Sequence, residues 1–202
     1  SIEIPPLEQT LSDWLRAPRG LKILNGMTWV LPPEILLRTF GTESGGLEED
    51  GDIDTQLRTA MMSRPIFRGI SPALEELNPI LGAKIRDGVE LFKKTIRPIM
   101  LNSLVYHHTP LVPMMEPSPW IVLEYAAPAK DRAVVGLFRT SQSGDPVFHF
   151  MPRGLDFARA YRVHFGNSGQ TVEMSGSQLR QGGIPVRLEE NLTSEMLIFE
   201  AK

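Results

Sequence analysis

The hydrophobic period of this chain changes at Pro98, and that change limits the possible folds more than any other feature. Ahead of it lies "NPILGAKIRDGVELFKKTIRP", in which Leu81, Ile85, Val89, Phe92 and Ile96 are spaced by four, four, three and four residues. That spacing places them on one face of a helix. Pro79 suits its first turn and Pro98 marks its end. Beyond Pro98 come "SLVYHH", "WIVLEYA", "RAVVGLFRT", "PVFHFM", "RAYRVHFG", "QTVEM", "IPVRL" and "EMLIFEA". They are short, β-rich and separated by turn signals such as Ser143-Gly144-Asp145-Pro146 and Gly166-Asn167-Ser168-Gly169. Eight such segments in about a hundred residues predict an antiparallel β-sandwich over 99–202. "SGSQLRQGG" reads as a helical turn between strands, ended by Gly182 and Gly183.

Residues 1–98 read differently. "MTWVLP" reads as a buried strand ending at Pro32 and Pro33. "DIDTQLRTAMM" reads as a helix with Asp52 or Asp54 favouring its N-terminal dipole. One or two parallel-type strands with two or three helices cannot cover both faces of a parallel sheet. A complete eight-stranded α/β barrel takes roughly 250 residues. The first half is therefore expected to be either an unusual fold or the end of something larger.

Composition excludes several function classes. A net charge of −3 gives no broad basic field, which argues against a nucleic-acid partner. The absence of cysteine removes disulfides and thiolate metal sites and favours a reducing compartment. No apolar run approaches the roughly 20 residues of a membrane span, and the N-terminus lacks a signal-peptide pattern. The expectation is a cytoplasmic protein with no membrane partner.

Few residues carry chemistry. In "EQTLSDWLRAPRG", Ser12 and Asp13 stand where a helix cap belongs, and equally where a catalytic carboxylate would sit at the end of a barrel strand. The acidic cluster Glu48, Glu49, Asp50, Asp52 and Asp54 opens like a calcium loop. Its sixth position is Thr55 and its twelfth Met61, so a solvated, helix-capping loop fits better. His107 and His108 adjoin in a strand and point to opposite faces, so they cannot share a metal. Trp29 and Trp120 read as buried packing, Met61, Met62, Met114 and Met115 as core filler, and His149 and His164 carry no assigned role. The residues call for no metal and no cofactor.

An ordered set of motifs resembles the late-barrel segment of glycoside hydrolase family 36, the α-galactosidases and their relatives. Ser12-Asp13 is followed by Leu21-Lys22-Ile23, Gly26 and Leu31-Pro32-Pro33. Arg58 stands where the family carries an arginine in the next helix. "KTIRP", with Tyr106 nine residues after Arg97, resembles the family's step into its C-terminal domain. "WIVLEYAAPAKDRAVVGLFR" and "YRVHFGNSGQTVEMSGSQLRQGGIPVRL" resemble its closing sandwich.

The resemblance implies an α/β plus all-β chain: the C-terminal part of a (β/α)8 barrel over 1–98, then the sandwich. It implies Asp13 as general acid/base, with Ser12 and Trp14 near the substrate. A retaining glycosidase pairs such an acid with a nucleophilic carboxylate about 5–5.5 Å away. The family's Lys-x-Asp nucleophile motif has no counterpart in this sequence. The implied partners are therefore a carbohydrate substrate and an upstream part of the protein, or a second chain, that completes the barrel. Arg16 and Arg19 replace acidic residues common in relatives. They keep a non-catalytic carbohydrate-binding or scaffold module open beside the hydrolase. A transglycosylase of the raffinose-synthase kind, which shares the family chemistry and differs in the acceptor, is a third reading.

Overall fold

The computed structural model describes residues 17–41, 52–68, 79–113 and 116–202. Helix α1 spans Ala17–Met27, strand β1 Leu37–Gly41, helix α2 Ile53–Met61 and strand β2 Arg64–Arg68. Helix α3, Pro79–Leu91, continues through a π turn at Phe92–Ile96 into the short helix α4, Arg97–Met100. The strands that follow are β3 Leu104–His107, β4 Trp120–Ala126, β5 Arg132–Arg139, β6 Val147–Phe150, β7 Ala160–Phe165 and β8 Thr171–Ser175. Helix α5, Gly176–Gly182, leads to β9, Ile184–Arg187, and β10, Thr193–Ala201, closes the chain.

The expected period-two segments all form strands, in a six-stranded sheet of order β3-β4-β5-β10-β7-β8 and a ribbon β6-β9, every pair antiparallel. Both faces of the sheet carry a buried core. On one face Trp120, Val122, Val135, Leu137, Tyr161, Leu197 and Phe199 pack with Phe150, Ile184 and Val186 of the ribbon and Leu179 of α5. On the other, Ile121, Leu123, Tyr125, Val134, Phe138, Met196 and Ile198 share a core with Leu57, Met61, Leu81, Ile85 and Ile96 of the helices. Alternation in β4 therefore sends successive side chains into two different cores, and all of its residues are buried. α5 carries a capping box in which Ser175 and Gln178 exchange side-chain and backbone bonds.

Three local expectations change. "MTWVLP" is not a buried strand. Met27 ends α1, the Thr28 hydroxyl donates back to the Leu24 carbonyl (2.8 Å), and Trp29 and Val30 are 57% and 77% exposed in the turn. A short apolar run does not distinguish strand from helix end, and the hydroxyl back-bond resolves it here. Pro98 does not end its helix. The π turn shifts the hydrogen-bond ladder, and Pro98 falls in the first turn of α4, where its missing N–H costs nothing. The strands of the first half are instead β1 and β2, which pair in parallel from Leu37 against Arg64 to Gly41 against Arg68. Pro65 is tolerated because β2 has one strand neighbour among the described residues.

Helix α2 forms as expected, with Asp52 as its N-cap accepting from the Thr55 N–H at 2.6 Å. Among the described residues no helix is long and apolar enough to cross a membrane.

Candidate functional site

Ser12, Asp13 and Trp14 lie outside the described residues, as do Arg16, Glu48, Glu49, Asp50, Met114 and Met115. Within the described part, the candidates are the β1-α2-β2 unit and three polar clusters. Parallel strands joined through a helix set their carboxyl ends, Gly41 and Arg68, on one edge. In α/β folds that edge is where loops build sites. Leu37 of β1 is 62% exposed, so the pair presents apolar surface, and among the described residues neither strand has a second strand neighbour.

The first cluster joins α2 to the sheet through Arg58, a side chain only 8% exposed. Its Nη1 donates to the Ser194 carbonyl (2.7 Å) and to Asn167 Oδ1 (2.6 Å). Asn167 donates in turn to the Ser194 carbonyl through Nδ2 (2.9 Å) and to Glu195 Oε1 through its backbone N–H (2.9 Å). One turn earlier, the Thr55 hydroxyl donates to Ser194 Oγ (2.9 Å). The arginine that the sequence placed by resemblance is thus a bracket between helix and strand, with its charge satisfied by carbonyl and amide oxygens.

The second cluster was not legible in the sequence. Glu124 is fully buried in β4, on the ribbon side of the sheet. Its carboxylate accepts from the backbone N–H groups of Arg153 (2.9 Å) and Gly154 (2.8 Å) and meets His108 Nε2 at 2.8 Å. A Cβ at Gly154 would overlap Ala126 and meet Tyr106 at 2.7 Å, so only glycine allows the loop this approach. Sequence alone shows a lone glutamate in an apolar strand, and that was the one available signal.

The third cluster surrounds His107, on the opposite face from His108 as the strand period requires. Trp29 stacks on its ring at 4.3 Å and 16°, and Thr28 Oγ1 lies 2.9 Å from Nε2. Burial lowers the His107 pKa from the ordinary histidine value; the Asn25 backbone contact opposes this, while the His108 and Arg153 charges reinforce it. Trp29 is therefore a half-exposed surface ring and not the buried packing expected for it. Trp120 is buried, with Nε1 donating to the Asp145 carbonyl at 3.0 Å. No group of three or more His, Asp or Glu side chains converges as a metal site among the described residues.

The sandwich decides the relationship. Residues 120–199, from the first residue of β4 to late β10, match the model of the glycosyl hydrolase family 36 C-terminal domain. The fold of the chain is similar to the galactosidase domain of the α-galactosidase-sucrose kinase AgaSK, with a TM-score of 0.73 and 18% identity over 92% of this chain and 25% of that one. It is equally similar to a variant of the AgaA α-galactosidase from Geobacillus stearothermophilus in complex with raffinose, with a TM-score of 0.74 and 17% identity over 92% of this chain and 24% of that one. The α-galactosidase from Lactobacillus brevis gives 0.72 and 13% over 90% of this chain and 24% of its own. The chain thus spans about a quarter of the length of the structures it matches. No curated protein sequence matches it.

Proposed function

We propose that this chain is the C-terminal portion of an α-galactosidase-like retaining glycoside hydrolase that removes terminal α-linked galactose-type sugars in the complete protein. Residues 1–98 then supply the last βα units of a (β/α)8 barrel, and 99–202 a sandwich that braces it. The observation that carries this reading is the parallel β1-α2-β2 unit packed on a family 36 sandwich. A parallel sheet that has two strands among the described residues calls for further strands beside it, and the upstream part of the protein or a second chain would supply them.

Asp13 is the general acid/base in this reading. It protonates the departing glycosidic oxygen and later deprotonates the water that releases the enzyme-bound sugar. Ser12 and Trp14 flank the sugar, Trp14 by stacking on a ring face. The nucleophilic carboxylate comes from outside the chain.

The test is Asp13→Asn in the longer protein that carries this chain. Hydrolysis of an α-galactoside with a poor leaving group falls by about 10²–10⁴. An activated aryl galactoside loses less in its first step, because its leaving group needs no proton. Equal rates for wild type and variant on the poor substrate would remove Asp13 from the chemistry.

A further inference from the structure

The helices cover the inner sheet unevenly. They lie over β4, β5 and β10, while on β7 and β8 the same face carries Arg162, His164 and Thr171. Two adjoining cavities of about 380 and 270 Å³ run between the helices and these strands, and they share Leu91, His164 and Ile198. Each is near or within the size range of small-molecule pockets.

The charged lining is balanced: Arg58, Lys84 and Arg162 against Asp54, Asp87 and Glu200. Most of it is already paired. Lys84 bonds Asp54 at 2.6 Å, Arg162 bonds Glu200 at 3.1 Å, and Arg58 is held by Ser194 and Asn167. An anion would have to compete with these carboxylates for the cations, and a metal ion with the cations for the carboxylates.

What remains suits hydroxyl groups. Asp87 is an exposed acceptor on α3. His164 meets Thr171 Oγ1 through Nδ1 at 3.2 Å, and its ring lines both cavities. The floor of Leu91, Met196 and Ile198 offers apolar contact for the C–H face of a sugar ring. Arg58 and Asn167 stand preorganised by their bonds to β10, which lowers the ordering cost of binding.

We propose that this groove binds a neutral oligosaccharide; the choice of a saccharide among hydroxyl-rich ligands rests on the glycosidase reading above. The test is a raffinose titration of the chain followed by amide chemical shifts. Shifts centred on His164, Asn167 and Asp87 are expected, with millimolar affinity. His164→Ala and Asp87→Ala should each weaken binding about tenfold. The second substitution alters an exposed helix position and leaves the core untouched, so a folded variant is available.

Absence of shifts at the groove, or binding that both variants leave unchanged, overturns the proposal. Identical shifts with glycerol at equal hydroxyl concentration overturn the saccharide assignment. Galactoside hydrolysis by the longer protein is read separately. Hydrolysis with no raffinose in the groove sinks the groove alone, and a filled groove with no hydrolysis sinks the glycosidase reading alone.

Discussion

At the scale of single residues, the position most exposed to loss is Glu124. A buried carboxylate is tolerated only when its oxygens are occupied, and here two backbone N–H groups and His108 occupy them. Glu124→Gln keeps the shape but replaces one acceptor oxygen with an N–H2 group, which must then face at least one donor. A buried donor left without an acceptor costs about 1–3 kcal/mol. We therefore expect Glu124→Gln to lower unfolding stability by about 2 kcal/mol, read from the urea midpoint at constant slope. A midpoint within error of wild type would show that the loop finds other partners. Tyr125, its neighbour in sequence, points the other way and donates to the Met62 carbonyl at 2.7 Å. Burial raises the Tyr125 pKa well above the ordinary tyrosine value, reinforced by the Glu34 carboxylate, so the hydroxyl keeps its proton and remains a donor. Adjacent residues of one strand thus anchor two different layers.

At the scale of elements, helix α2 is seated where the sheet lacks a side chain. A Cβ at Gly136 would meet Met62 Cγ and Sδ at 3.1 Å and Phe138 Cε2 at 2.6 Å. The glycine in β5 is what lets the end of α2 rest on the sheet. Gly136→Ala should cost about 1–3 kcal/mol as an overpacked core site. Gly182→Ala is the matched comparison, since its added methyl meets nothing within 4 Å. That variant should be neutral or gain about 0.5–1 kcal/mol from helix propensity. Thermal melts of the two side by side decide the matter, and equal effects would refute the packing account. The Asp52 cap and the Arg58 bracket act on the same helix from its two sides, one along its axis and one across it.

At the scale of the whole molecule, the sheet is a middle layer. Seven large apolar side chains of its inner face, from Ile121 to Ile198, are buried in the core they share with the helices. At roughly 1.5–3 kcal/mol each, their exposure would offset the whole of a domain's usual stability of about 5–15 kcal/mol. A chain shortened to 99–202 should therefore bind a hydrophobic dye, lose near-ultraviolet dichroism and aggregate, whereas the 202-residue chain should melt cooperatively. A soluble, cooperatively folding 99–202 fragment would show that the helical layer is dispensable. The same layering produces the groove, because helices that stop at β10 leave the outer strands of that face uncovered.

The sequence by itself determined the elements whose signal is local. Eight β segments, the capped helix α2 and the apolar stripe of α3 were legible because alternation, capping and a 3.6-residue period are written into neighbouring residues. The motif order from Ser12 to Tyr106 likewise pointed to family 36. What only the tertiary structure decided depends on residues far apart in the chain. β1 and β2 are five residues each, contain Pro65 and arginines, and become strands because they find one another across α2. "MTWVLP" lost its strand to a hydroxyl that closes the helix before it, and Pro98 lost its role as terminator to a π turn. Glu124 and Arg58 take their partners from 16 to 136 residues away. No pattern along the chain encodes such pairs, since buried charge is acceptable only once the fold has delivered its donors and acceptors.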